Sequence, residues 1–320
     1  MKLKKSNFIK DLNNSIILEK NPSIAIAVSG GPDSMALLFL IFEWAKSTSA
    51  DLTILIVNHK LRINIIFEIN KIIKLLKIYN HKIKILNVHN SNIKKKSMKE
   101  ARDNRYELLT NYCKKNNILY LFIGHHQDDN LETFLIRKIS GSDFDGLYGI
   151  KEKSLRDNTL LIRPLLKYKK KDIYNYNIRN NINFIEDPSN KDFKYTRPVI
   201  RQILNQMESK FVKLIMADHK KIINNFNNYS NMVNKILFDI AVVTKQNIII
   251  VNYNKFTDLD QILAEIIVKK IYLFFYKNDF VRLKKVQIFL NNLKNQNFRM
   301  FNLKKIIISK NNNSLCFSRK

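Results

Sequence analysis

The sequence predicts an α/β fold: a parallel sheet with helices on both faces, followed by a smaller, mainly helical C-terminal domain. Three observations carry that prediction. Short β-branched runs alternate with helix-length stretches from Ile24 to Ile139, the order that builds a parallel sheet. A glycine-containing stretch, SGGPDS at Ser29 to Ser34, separates the first such run from the first long helix. The other polar motifs of this part fall at predicted strand ends or just after them, where open parallel sheets bind ligands.

The elements follow in order. Residues 1 to 23 read as a short helix with Phe8, Leu12 and Ile16 on one face, leading to Pro22. Ile24 to Val28 reads as a buried strand and Met35 to Lys46 as a helix. Leu52 to Val57 is a second strand running into Asn58-His59-Lys60-Leu61-Arg62. A helix around Phe67 to Tyr79, a third strand at Lys82 to Val88, a helix from Lys99 to Asn116 and a fourth strand at Leu119 to Gly124 complete the pattern. The expected catalytic domain covers residues 1 to 205. Residues 206 to 320 form the expected second domain, with Met207 to Lys245, Gln261 to Tyr276 and Leu283 to Leu293 helical. Ile306 to Ser309 and Ser314 to Ser318 read as a terminal hairpin around Asn311-Asn312-Asn313. No catalytic constellation is visible in that second part.

Lys and Arg number 56 against 27 Asp and Glu, a formal charge of +29. That is far beyond what solubility requires and attracts polyanions, nucleic acid first among them. The chain is also rich in Lys, Asn and Ile throughout, so charge alone names no partner. The longest apolar run, Met35 to Trp44, is broken at Glu43 and too short to span a bilayer. The basic N-terminus MKLKKSNFIKDLNNS lacks an apolar signal core, so a cytosolic protein with no membrane span is expected. Cys113 and Cys316 form no CxxC, so neither a structural zinc nor an iron–sulfur cluster is indicated.

In SGGPDS, Gly30 and Gly31 let the backbone adopt conformations closed to other residues and approach a ligand closely. The free N–H groups and positive dipole end of the following helix attract an anion, and a phosphate suits that place. Ser29 and Ser34 add hydroxyls, Pro32 opens the helix, and Asp33 makes sense beside a phosphate if Mg²⁺ lies between them. The bland alternative is an ordinary capped glycine turn. Neither GxxxxGK[ST] nor GxGxxG occurs, so γ-phosphoryl transfer and dinucleotide redox chemistry lose their usual signatures.

The second motif is HHQDDNLET at His125 to Thr133, closing the fourth strand and opening a helix. Asp128 and Glu132 are four apart and Asp129 and Glu132 three apart, so their carboxylates can share a face. Three readings are open: acidic residues complementing the helix dipole, a metal site, or carboxylates receiving a cationic amino substrate while one His assists proton transfer or stacks on adenine. Arg102 and Arg105, three apart on one helix, could meet phosphate or a polarised intermediate.

SGGPDS resembles the pyrophosphatase loop, SGGxDS, of the N-type ATP pyrophosphatases, which cleave ATP between the α and β phosphates. The resemblance sharpens further along. HHQDDNLET is similar to the HHxDDQxET signature of the tRNA(Ile)-lysidine synthases, with Asn130 where Gln is usual. VNHKLR at Val57 to Arg62, KEARDNRY at Lys99 to Tyr106, GSDFDGLYGI at Gly141 to Ile150, RPLL at Arg163 to Leu166 and DPSN at Asp187 to Asn190 resemble further family motifs in the same order. The likeness covers roughly residues 24 to 201. Two departures stand out: Asn58 replaces an often acidic residue, and Tyr195 to Arg201 matches the family's RNxIR only loosely, leaving the contribution of that segment open.

The resemblance implies ATP-dependent ligation of free L-lysine to C2 of the wobble cytidine in the CAU anticodon of tRNA(Ile), through an adenylated base, with release of AMP and pyrophosphate. It implies that Ser29, Gly30, Gly31, Pro32, Asp33 and Ser34 hold ATP, Asp33 and Asp129 hold Mg²⁺, and Asp128 and Glu132 receive lysine. Asp33, Asp129, His126 and Arg105 are then the expected catalytic set, and the second domain supports tRNA. The oligomeric state is open, a homodimer included. A tRNA thiolase of the same superfamily is the alternative; it normally needs a persulfide-bearing Cys or a cluster. A non-catalytic RNA-binding protein would not need the acidic and basic motif positions intact.

Overall fold

Alternation along the first strand creates two layers of helix. In β1 (Ser23–Ala27), Ile24 and Ile26 join one buried cluster with Trp44, Phe122 and Leu165, whereas Ala25 joins another with Tyr106, Leu109 and Cys113. A strand apolar on both faces needs cover on both. The first layer comes from α1 (Lys5–Ser15), α2 (Pro32–Thr48), α3 (Ile65–Leu76) and α7 (Lys170–Arg179). The second is α4 (Met98–Lys115). The computed structural model describes residues 2–58, 65–79, 81–88, 98–142, 144–185, 196–244, 246, 248–276, 279, 281–295 and 297–320. His59 to Arg62, the DPSN motif and Tyr195 lie outside them.

The sheet runs β3 (Lys82–Asn87), β2 (Asp51–Asn58), β1, β4 (Tyr120–Ile123), β6 (Thr159–Ile162), β5 (Lys153–Arg156) in space. β1 to β4 and β6 are parallel, with Ile26 opposite Ile54 on one side and Phe122 on the other. β5 lies antiparallel on the β6 edge. The β5–β6 hairpin is additional to the four expected strands. Its turn residues Asp157 and Asn158 hold φ of +48° and +65°, the left-handed pair a two-residue hairpin turn requires. β1 to β3 step outward in one direction, and the chain then returns through α4 to lay β4 on the other side of β1. That reversal makes the carboxyl ends of β1 and β4 neighbours, the position where doubly wound sheets bind their ligands.

The chain divides into two compact units, Met1–Lys220 and Lys221–Lys320. The division falls inside α9 (Ser209–Ile240), downstream of the expected boundary at residue 205. The second unit holds α10 (Tyr253–Thr257), α11 (Gln261–Phe275) and α12 (Leu283–Leu293), and a five-stranded antiparallel sheet. Its strand order is β7 (Ala241–Val243), β8 (Ile249–Asn252), β11 (Ser314–Arg319), β10 (Ile306–Asn311), β9 (Met300–Leu303). β10 and β11 are the expected hairpin. Val251, Ile306, Ile308, Leu315 and Phe317 pack one sheet face against Val268, Tyr272, Val286 and Phe289 of the helices.

Candidate active site

The chain leaves β1 at Ala27 and enters α2 at Pro32, so Ser29 to Gly31 form the turn between them. Pro32 takes the first helical position, where a missing N–H is harmless. Gly31 is the N-cap and offers no side-chain cap, which leaves first-turn N–H groups for an anion. Gly30 holds φ +81°, and a Cβ there would lie 2.7 Å from Ile72 Cγ1, so conformation and space both demand glycine. Ser34 Oγ donates to the Gly31 carbonyl at 3.0 Å and accepts the Ser29 N–H at 3.2 Å. From the α7 side, Asn177 Nδ2 donates to the Pro32 carbonyl at 2.8 Å, and the Ile185 N–H donates to the Gly30 carbonyl at 2.9 Å.

Directly beside this loop, β4 ends and α5 (Gln127–Ile139) begins. A Cβ on Gly124 would stand 3.2 Å from the Asp33 carbonyl carbon, so the chain leaving β4 lies directly against the first turn of α2. His126, 2% exposed, is the N-cap of α5. Its Nδ1 accepts the Asp129 N–H at 3.2 Å, while Asp129 Oδ2 accepts the His126 N–H at 3.2 Å, a reciprocal capping box. The ring's Nε2 then faces Asp129 at 3.4 Å and Asp33 at 3.7 Å, and Asp128 lies 3.6 Å from Nδ1. Asp128 Oδ2 also accepts the Lys170 N–H at 2.7 Å, at the start of α7. Asp33, His126, Asp128 and Asp129 thus meet at the β1/β4 reversal.

Their electrostatics differ. Burial raises the Asp33 carboxyl above its ordinary value, against the attraction of His126, and its Oδ1 is buried without a hydrogen-bond partner. Burial would raise Asp129 too, yet His126, His125 and Arg197 hold it below the usual range. Two neighbouring carboxyls pushed apart in this way suit different roles. His125 is driven down to about 3, chiefly by burial. Because the folded value lies below the unfolded one of 6.5, its neutral ring contributes stability that is complete above pH 6.5 and lost as pH falls towards 3. In that window the wild type should lose up to about 1.4 kcal/mol per pH unit through this group. Urea titrations of His125→Gln should show a shallower dependence, and equal slopes would mean that His125 is protonated in the fold.

Glu132, 1% exposed, is clasped from α8 (Thr196–Gln206). Arg201 donates from Nε at 2.6 Å and from Nη2 at 3.1 Å, and Arg197 Nε lies 3.3 Å away. Arg197 Nη2 also donates to Thr133 Oγ1 at 2.7 Å, and Arg201 comes within 3.8 Å of Asp129. The loosely matching Tyr195 to Arg201 segment therefore supplies two arginines to the site. Their spacing of four on one helix was the available signal. Of the two carboxylates expected to receive lysine, Asp128 is half exposed and Glu132 is already engaged.

Two cavities flank this cluster. One of about 310 Å³ is lined by apolar residues (Leu55, Val57, Ile69, Leu109) and by Ser29, Gly31, Asp33 and Ser34, with Arg105, Tyr106 and His125 also in its wall. The other, about 510 Å³, is lined by Asp128, Glu132, Arg201, Lys170, Lys171 and Tyr174, among others. The remaining motifs brace the site. Asn130 Oδ1 accepts the Ile150 N–H at 2.6 Å, and Gly149, at φ +84°, could not carry a Cβ because it would lie 2.3 Å from that oxygen. Arg163 Nη1 donates to the Lys151 carbonyl at 2.8 Å and Ser154 Oγ at 3.0 Å. Asn58 Nδ2 donates to Asn87 Oδ1 at 2.9 Å, tying the ends of β2 and β3.

The family model of the PP-loop domain matches residues 2–208. This chain belongs to the PP-loop domain family. The match supports ATP binding. Among curated proteins, the chain is 36% identical over 203 residues to the tRNA(Ile)-lysidine synthase of Orientia tsutsugamushi (strain Boryong), covering 63% of this chain and 45% of that protein. It is 40% identical over 191 residues to the tRNA(Ile)-lysidine synthase of Wolbachia pipientis wMel, covering 59% and 44%. The match thus spans less than half the length of these relatives. In fold the PP-loop chain is similar to the U34-tRNA thiolase NcsA from Methanococcus maripaludis with its [4Fe-4S] cluster, with a TM-score of 0.58, 19% identity, and 70% and 77% of the two chains covered. Among the described residues no helix is long and apolar enough to cross a membrane.

Proposed function

We propose that this protein works in the cytoplasm, ligating free L-lysine to C2 of the wobble cytidine in the CAU anticodon of tRNA(Ile). ATP adenylates the base, pyrophosphate leaves, and attack by the lysine amine releases AMP. One observation carries the reading: His126 lies between Asp33 of the phosphate loop and Asp128 of the mixed-charge cavity. A nucleotide site and an amino-acid site therefore share a single junction.

The apolar cavity takes the adenine, with Ser29, Gly30, Gly31, Pro32 and Ser34 presenting amides and hydroxyls to the phosphates. Asp33 and Asp129 fit Mg²⁺: both carboxylates face one imidazole edge, and Asp33 Oδ1 is buried with no other partner. No cluster of three or more His, Cys, Asp and Glu side chains forms a metal site among the described residues, so these two would hold the ion together with phosphate oxygens. Bound there, Mg²⁺ would neutralise phosphate charge. The second cavity offers Asp128 to an ammonium group, and Lys170 and Arg201, which Glu132 holds in place, to a carboxylate, the complement of an amino acid. As the N–C2 bond forms and the C2–O bond to AMP breaks, the amine gives up a proton. With Asp33 and Asp129 on the ion, Asp128, which lines the second cavity and lies 3.6 Å from His126, is the acceptor that remains. Arg105, in the cavity wall, meets phosphate. The second unit, with 17 Lys and Arg against 5 Asp and Glu, supports the tRNA through phosphate contacts.

The fold likeness to a thiolase raises sulfur transfer as the competing reading. Cys113 is fully buried in α4 and its thiol is pushed up to about 12 by that burial, the opposite of an activated sulfur carrier. Replacing Cys113 and Cys316 together by Ala should leave tRNA modification within about twofold of wild type, at a cost of about 1 kcal/mol in stability. A folded double variant without activity would restore the sulfur reading.

A further inference from the structure

The second unit holds a cavity that the proposed reaction does not use. It measures about 380 Å³, the size of a small-molecule site, and is lined from α10, α11 and α12. Phe256, Ala264, Leu290 and Leu293, each no more than 9% exposed, belong to the core of this unit, so the cavity reaches that core. Tyr253, Gln261, Asn291 and Lys294 also line it, and the last three are exposed. Apolar surface with a few placed amides suits a planar heterocycle, which needs stacking and in-plane hydrogen bonds.

Gln261 is held for that role. Glu265, a buried carboxylate, accepts the Gln261 Nε2–H at 3.1 Å and, from α12, the Gln287 Nε2–H at 3.0 Å. Glu265 thereby fixes the Gln261 amide and leaves its carbonyl oxygen as an acceptor. Charge narrows the ligand further. Asp239 and Asp279 of this unit are paired with lysines. Lys294, and Lys310 with its ammonium 3.8 Å from the Tyr253 ring centroid, have no carboxylate partner among the described residues. An aromatic ring, an amide acceptor and uncompensated cations beside an apolar cavity together suit a base that carries a phosphate.

We infer that this cavity takes one unstacked base of the bound RNA, with Tyr253 and Gln261 meeting the base and Lys294 its phosphate. The inference rests on the reading of the second unit as an RNA support, and adds a base pocket to the phosphate contacts of that reading. Titrations of the full chain with a single-stranded uridine octamer, an abasic octamer with the same phosphates, and transcribed tRNA test it. Asn291→Trp fills the cavity from an exposed position without changing charge. It should weaken the uridine octamer and tRNA about tenfold and leave the abasic strand within about twofold. Gln261→Leu, also at an exposed position, should lose about fivefold on the uridine octamer alone of the two strands, and decides the matter if Asn291→Trp does not fold. Lys294→Gln should weaken all three ligands and flatten the salt slope by about 0.7 on the strands. Flattened slopes in Lys294→Gln with wild-type affinities in Asn291→Trp and Gln261→Leu would mean phosphate contacts alone and overturn the pocket. Equal losses on the uridine and abasic strands overturn it as well. Wild-type behaviour of all three variants on every ligand would remove the RNA role of the unit along with the pocket. Binding is read without lysine, so a chain that shows these losses but never incorporates lysine sinks the proposed reaction and leaves the base pocket standing.

Discussion

Asp33→Ala should abolish AMP and pyrophosphate formation, by about 10³-fold or more, while tRNA affinity stays within about twofold of wild type. The substitution removes a carboxylate at the junction of loop and helix, where it faces His126 at 3.7 Å with one oxygen unpartnered. It removes no cation, so attraction for RNA phosphates is untouched. Stability makes the prediction sharper. Burial raises the folded Asp33 carboxyl above its unfolded value of 3.8, so near pH 7 its ionised form opposes folding and its loss should leave the melting temperature unchanged or higher. A well-folded, RNA-binding protein dead in ATP cleavage is the expected product. Retained cleavage would remove Asp33 from the mechanism.

Glu132→Gln should have the largest effect on the fold of the site. Glu132 is 1% exposed and accepts two hydrogen bonds from Arg201, with Arg197 at 3.3 Å. Removing its charge leaves two guanidinium groups around a neutral amide, and breaking a buried pair costs about 3 to 5 kcal/mol. The arginine side chains are 35% and 26% exposed, so water takes up part of the loss and about 3 kcal/mol is expected, read as a shift of the urea midpoint. Lysine transfer should fall more than ATP binding, because Glu132 lines the mixed-charge cavity and not the adenine cavity. Glu132→Gln with Arg201→Met should cost at least about 1 kcal/mol less than the two single changes together. Strict additivity would mean that the pair is not coupled.

The sequence showed the first sheet and the loop well because both depend on local chemistry. The continuous apolar run of Ile24 to Val28 and the glycines before Pro32 need no distant partner to be recognised. The β5–β6 hairpin was missed because each strand has four residues and the turn is Asp157-Asn158, without the glycine that usually marks it. β7, β8 and β9, of three or four residues, were hidden for the same reason. His126 was legible as a site residue but not as a helix cap, since caps are usually Ser, Thr, Asp or Asn. The arginines at 197 and 201 were not singled out, although their spacing of four would have put them on one helix face. That they meet Glu132 depends on how α8 packs on α5, which no local pattern encodes.

Radiolabelled lysine, ATP and total tRNA incubated with the full chain test the central claim most directly. Label should enter RNA only when ATP is present, with AMP and pyrophosphate formed in proportion, and Asp33→Ala should leave the RNA unlabelled. ATP-dependent formation of AMP on tRNA with no lysine in the RNA would contradict lysine ligation and point to another acceptor chemistry in the same PP-loop.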